Sequence, residues 1–169
     1  MGIGIQHFCS RPNIISDKPH TNPTPGQVHL GLDFQSENRF TSPSTGECQQ
    51  VLSAVSGNFS SPHFPNIYPN NINCHWSISL AAGYRIKLFF PFMDLEDRNS
   101  LSDRCDYDSV AVYDGAAQTD PLLGRWCGRE KPRSLVSRGN KLLVVLSTDR
   151  NEAHQGFTAS YLGGKGDQM

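Results

Sequence analysis

Four side chains with obvious chemical potential are Cys48, Cys74, Cys105 and Cys127, and a fifth cysteine, Cys9, stands apart from them. An even set of four reads as two disulfides formed in an oxidising compartment. Four cysteines allow three pairings, and spacing alone selects none. Zinc is the weaker reading, because no Cys-x-x-Cys and no Cys/His cluster with ligand spacing occurs. Cys9 is either a free thiol or a cysteine whose partner is missing. Asn58-Phe59-Ser60 is an N-glycosylation sequon. Signatures of catalysis are missing: there is no Gly-x-Ser-x-Gly, no His-Glu-x-x-His, no phosphate loop and no dinucleotide fingerprint. His75, between Cys74 and Trp76, is expected to face outward rather than to bind a metal. No local signature joins Ser, His and Asp into a catalytic set. The expectation is a protein that is not an enzyme. Asp94, Asp97, Asp103 and Asp106 crowd one segment, expected to be a solvated loop.

The elements that must carry these residues follow from the hydrophobic pattern. Residues 1–47 are rich in Pro, Ser, Thr, Asn and Gly and read as a disordered linker or arm. From Cys48 onward the period becomes two. Trp76, Ile78 and Leu80 alternate with serines, Tyr84, Ile86, Leu88 and Phe90 form a second series, and Val110 and Val112 a third. Leu142 to Leu146 is an apolar run, and Phe157, Ala159 and Tyr161 close the pattern. Gly, Pro, Asn or Asp bound each stretch, and no helical stripe occurs. The fold class is all-β, an antiparallel two-sheet β-sandwich. Trp76, Tyr84, Ile86, Leu88, Phe90, Val110, Val112, Leu143, Val145 and Phe157 include the expected core, about half of them inward. Trp126 is expected to cover a disulfide. Residues 163–169 read as a flexible tail. A net charge of −1 gives no bulk field for nucleic acid or an anionic membrane. No apolar run approaches the ~20 residues of a membrane span. Gly2 to Ser10 does not read as a signal peptide, which conflicts with disulfides unless the chain is a fragment, an isoform or an expressed piece of a longer protein.

Gly57 to Asn71, with Ser61-Pro62-His63-Phe64-Pro65 and Tyr68-Pro69-Asn70-Asn71, precedes Cys74-His75-Trp76-Ser77-Ile78. Cys105-Asp106-Tyr107-Asp108-Ser109-Val110-Ala111-Val112-Tyr113-Asp114-Gly115, Cys127-Gly128, Ser147-Thr148-Asp149 and Gly156-Phe157 follow in order. This series resembles the extracellular CUB domain family, over residues 48–162. The stretch Ser60 to Pro65 is most similar to CUB domains of mucosal scavenger-type glycoproteins. Phe64 departs from the family, which usually has Tyr there; a hydroxyl is lost while the ring can still pack. The resemblance implies a jelly-roll-like sandwich with disulfides Cys48–Cys74 and Cys105–Cys127.

The resemblance further implies a calcium site at one end of the sandwich, with Glu96, Asp108 and Asp149 as acidic ligands, Asn151 as a further oxygen donor and Tyr68 as the brace. Three convergent carboxylates repel unless a hard dication with 6 to 8 oxygen ligands joins them. The same acidic face is expected to pair with a partner's Lys or Arg, weakly on its own and with avidity from neighbouring domains. The functional expectation is a noncatalytic, secreted protein–protein interaction module stabilised by disulfides and calcium. The alternatives are the noncatalytic portion of a secreted multidomain protease and a glycan- or mucin-facing adhesin.

Overall fold

The computed structural model describes residues 48–169, so the expectations for residues 1–47, Cys9 included, lie outside the described residues. The period-two segments form nine strands: β1 (Gln49–Leu52), β2 (Ser56–Ser60), β3 (Asn73–Ser79), β4 (Tyr84–Asp94), β5 (Ser109–Tyr113), β6 (Leu122–Trp126), β7 (Leu135–Val136), β8 (Lys141–Ser147) and β9 (Gly156–Lys165). They make two sheets, ordered β1-β3-β8-β5-β6 and β2-β9-β4-β7. The ladders are antiparallel except β1 with β3, which is parallel. The exception has a topological cause: the chain leaves β1, crosses to the other sheet as β2, and returns as β3 in its starting direction. The antiparallel two-sheet sandwich expected from the sequence is thus found, with this one parallel ladder at its edge.

Alternation explains the core. β3 buries Cys74, Trp76 and Ile78 and turns His75, Ser77 and Ser79 outward. Trp76 and Phe157 meet edge to face at 5.3 Å, and Phe59 stacks on Trp76 at 5.4 Å. Each such pair contributes about 0.5–1.5 kcal/mol beyond its buried area. β4 buries Ile86, Leu88 and Phe90, then changes phase to bury Met93. The register shifts between Phe89 and Phe92, around Pro91, which has no N–H to give to a ladder. β8 is central and buried on both faces. Leu142, Val144 and Leu146 join the main core, whereas Leu143 and Val145 join Ala111 and Tyr113 on the opposite face. Tyr84 is only partly buried against the core.

The tail expected from residue 163 is corrected. β9 continues to Lys165, with Gly163 opposite Ile86 and Lys165 opposite Tyr84, followed by a 3-10 turn over Gly166–Gln168. Glycine weakens a strand signal in sequence, but here it is needed. A Cβ on Gly163 would collide with Leu80 Cδ1 and lie 3.0 Å from the Val55 carbonyl oxygen.

Both disulfides pair as the resemblance implied, Cys48 with Cys74 and Cys105 with Cys127, at Cα separations of 4.7 and 5.6 Å. Trp126 stands next to disulfide-bonded Cys127. Its ring lies over Gly124, where any Cβ would meet it, and packs against the core edge. Among the described residues, no helix is long and apolar enough to cross a membrane.

Candidate metal centre

Strand pairing brings the acidic residues together. β5 and β8 align Ser109 with Ser147, so Asp108, just before β5, and Asp149, just after β8, emerge at one end of the five-stranded sheet. Glu96 arrives from the other sheet, beyond the end of β4. Its backbone is pinned: the Leu95 N–H donates to the Gly128 carbonyl at 3.0 Å, and the Gly128 N–H to the Glu96 carbonyl at 2.8 Å. Gly128 follows disulfide-bonded Cys127, so the second disulfide bears directly on the position of Glu96. Gly128 adopts φ +61°, and a Cβ there would come within 2.7 Å of Asp97 Oδ1.

One carboxylate oxygen from each of Glu96, Asp108 and Asp149 lies within 4.8 Å of the others. Tyr68 is 2% exposed and sits beneath them. Its hydroxyl donates to Asp108 Oδ2 at 2.6 Å and accepts from the Glu96 N–H at 3.3 Å. The other Asp108 oxygen, Oδ1, accepts from the Asp149 N–H at 2.7 Å. Asp108 is thus fixed by a donor on each oxygen, with lone pairs to spare. Asn151 donates its backbone N–H and its amide Nδ2 to Asp149, at 2.7 and 3.2 Å. It braces that carboxylate.

The electrostatics are unbalanced. Burial pushes the Glu96 carboxyl upward, and Asp149, Asp108 and Glu152 push it the same way, against a smaller opposing effect of His154. Glu96 Oε2 is buried and has no hydrogen-bond partner. Burial, then the bond to Asp108, holds the Tyr68 phenol far above its ordinary range, so it remains a donor. A three-carboxylate set with an orphaned buried oxygen suits a hard cation that takes oxygen ligands in irregular geometry, which describes calcium better than magnesium.

The neighbouring acids are mostly as expected. Asp97, Asp103 and Asp106 are exposed. Asp106 also organises its loop, accepting from Asn99 Nδ2 and Ser102 Oγ at 3.1 and 2.5 Å. Asp94 is not simply solvated: Arg129 Nε lies 3.0 Å and His154 Nδ1 3.7 Å from its Oδ1. His75 Nε2 lies 3.2 Å from Gln118 Nε2 and takes no part in the cluster. Asn58 is exposed on β2. The role of Gly128 escaped the sequence reading, although Cys127-Gly128 was visible as a pair.

Residues 48–161 match the family model of the CUB domain. The chain is 38% identical to human Tolloid-like protein 1 over 68% of its own length and 11% of that protein. It is 40% identical to mouse Procollagen C-endopeptidase enhancer 2, over 77% of this chain and 32% of the relative. It therefore spans about a tenth to a third of these curated relatives. Among solved structures, the full extracellular region of zebrafish Gpr126/Adgrg6 is 32% identical with a TM-score of 0.61, covering 70% of this chain and 15% of that one. The MASP-1 CUB2 domain bound to Ca2+ shares the fold at 24% identity and a TM-score of 0.60, over 67% of this chain and 96% of that one.

Proposed function

This chain belongs to the CUB domain family, and from that premise we propose that it is a noncatalytic extracellular interaction module whose acidic end holds calcium and receives a basic side chain of a partner protein. The observation that carries the reading is the convergence of Glu96, Asp108 and Asp149 within 4.8 Å, with Glu96 Oε2 buried and unpartnered. Calcium bound there supplies the positive charge that the three carboxylates lack, and Tyr68 and Asn151 hold Asp108 and Asp149 in place to receive it. The remaining oxygens at the rim then suit a Lys or Arg from a second protein. One exposed ion pair contributes only about 0–1 kcal/mol, so affinity comes from several domains of a longer protein acting together. Two disulfides and the likeness to the extracellular region of zebrafish Gpr126/Adgrg6 support the secreted setting.

The test is thermal unfolding of the nonreduced protein with calcium and with excess chelator. A site filled at about 100 times its Kd adds ~2.7 kcal/mol, and the midpoint rises by several degrees. The rise disappears in Asp108→Ala. An unfolding midpoint indifferent to calcium removes both the metal and the basic-residue reading. A second reading, that the module belongs to the noncatalytic part of a secreted protease or its enhancer, is favoured by the identities to Tolloid-like protein 1 and Procollagen C-endopeptidase enhancer 2. Sequence beyond either end of the domain separates the two.

A further inference from the structure

The outer face of the four-stranded sheet has a feature that the acidic end does not use. Strand pairing sets Asn58 opposite Ser160 and Ser160 opposite Phe89, while Ser60 lies opposite Thr158 and Thr158 opposite Phe92. Asn58, Ser60, Thr158, Ser160 and the two phenylalanines therefore share one side of the sheet. Phe64, from the loop after β2, folds over this side and meets Phe92 at 5.4 Å between centroids. All three rings are partly exposed. Between Asn58 and Phe64 runs a shallow groove of about 380 Å³, floored by Ser60, Thr158 and Ser160. These partly exposed rings keep some apolar surface in water that an adjacent ligand would shield.

We propose that Asn58 carries an N-linked glycan whose first sugars lie in this groove against Phe64, the ring that packs on Phe92. Three observations place it there. Asn58 and Ser60 supply the sequon on adjacent outward positions of β2, which is an edge strand. Asn58 is exposed, and the Ser160 hydroxyl donates to its Oδ1 at 2.7 Å. That bond fixes the amide with its Nδ2 free of any partner among the described residues. The attached sugar is tethered beside the groove, so its apolar ring face reaches Phe64 without the entropy cost of a free ligand. Transfer from a lipid-linked pyrophosphate oligosaccharide forms the bond from Nδ2 to the sugar C1 and breaks the C1–O bond to the pyrophosphate. The amide gives up one proton and the lipid pyrophosphate leaves; nothing is oxidised or reduced. The inference shares only the secretory setting with the proposed function and does not depend on calcium. It also reserves this face for carbohydrate, leaving the acidic end to protein partners.

The experiment is secretion of the full chain from animal cells, followed by peptide mapping and hydroxyl-radical footprinting before and after enzymatic deglycosylation. Asn58 is expected to be occupied, with the mass shift lost in Asn58→Gln and Ser60→Ala and retained in Ser60→Thr. Radical labelling of Phe64 and Phe92 is expected to rise when the glycan is removed, while labelling of Tyr107 near the acidic end stays constant. Secreted protein with both disulfides closed and Asn58 unmodified overturns the proposal while leaving the secretory setting intact. An occupied Asn58 with unchanged Phe64 and Phe92 labelling overturns the placement of the sugar. Mapping of the native sequence decides occupancy even if a variant fails to fold.

Discussion

The two ends of the sandwich solve the same problem in opposite ways. At the end away from the acidic cluster, the turns satisfy themselves. Ser137 Oγ accepts from the Ile86 N–H at 2.7 Å and donates to the Gly139 carbonyl at 2.6 Å. Leu80 and Asn140 exchange bonds, with the Leu80 N–H donating at 2.9 Å and Asn140 Nδ2 at 2.7 Å. Of the carboxylates there, Asp114 accepts from the Arg138 N–H at 3.0 Å and lies 3.8 Å from its guanidinium, and Asp120 accepts from the Ala117 N–H at 2.8 Å. At the other end three carboxylates meet, and Glu96 keeps an oxygen without a donor. Polar geometry is complete at one end and short of positive charge at the other, and that contrast is what supports the proposed calcium site.

The comparison can be broken most severely through Cys105–Cys127, which pins the Glu96 segment through Gly128. Replacing both cysteines by Ser is expected to cost about 2–5 kcal/mol in urea unfolding and to blunt the calcium response, whereas a far-end change costs stability alone. Next in size is the paired substitution of the two aspartates. Asp108→Ala abolishes the calcium-dependent midpoint rise, worth ~2.7 kcal/mol at about 100 times Kd, and Asp114→Ala leaves that rise intact. Equal responses in the two variants would erase the distinction between the ends. Tyr68→Phe removes the hydroxyl that donates to Asp108. It is expected to cost about 1.5–3 kcal/mol, the range for hydrogen bonds to charged groups, and to weaken calcium binding measured by titration calorimetry.

The smallest effect is the pH dependence. The folded-state pKa of Glu96 is raised, so the folded chain holds that proton more tightly than the unfolded chain, whose Glu titrates near about 4.3. In chelator, this group's contribution is fully present below that pH. It declines as the pH rises toward the folded value and stays lost above it. The difference in stability between wild type and Glu96→Gln, followed from pH 4 to 8 in roughly unit steps, is expected to show this decline in chelator and to lose it in calcium.

Much of this contrast was legible in sequence, but unevenly. Trp76, Ile78 and Leu80 announced β3 because strict alternation has one interpretation. The phase change at Pro91 was hidden, since a bulge leaves composition untouched while turning Met93 inward. Gly163 and Gly164 read as a tail because glycine's strand preference is poor, and the close approach of Leu80 and Val55 that requires Gly163 exists only after folding. The acidic site divides similarly. Glu96, Asp108 and Asp149 were identified through family resemblance, since no local spacing links residues that the β5–β8 pairing and the opposite sheet bring together. The grip of Gly128 on Glu96 and the orphaned Glu96 oxygen had no sequence signal at all.

The strand directions also have a mechanical meaning. Cys48 lies at the acidic end, beside β3, and β9 finishes at Lys165 near the far end, opposite Tyr84. A pull applied between these two points runs along the length of the sandwich. The Cys48–Cys74 bridge hands the load to β3 without straining the short β1 ladder. At the other terminus β9 lies between β2 and β4, so its hydrogen bonds are stressed in shear, many at once, rather than unzipped singly. A force applied between these points would therefore load many hydrogen bonds at once and leave the acidic end in register.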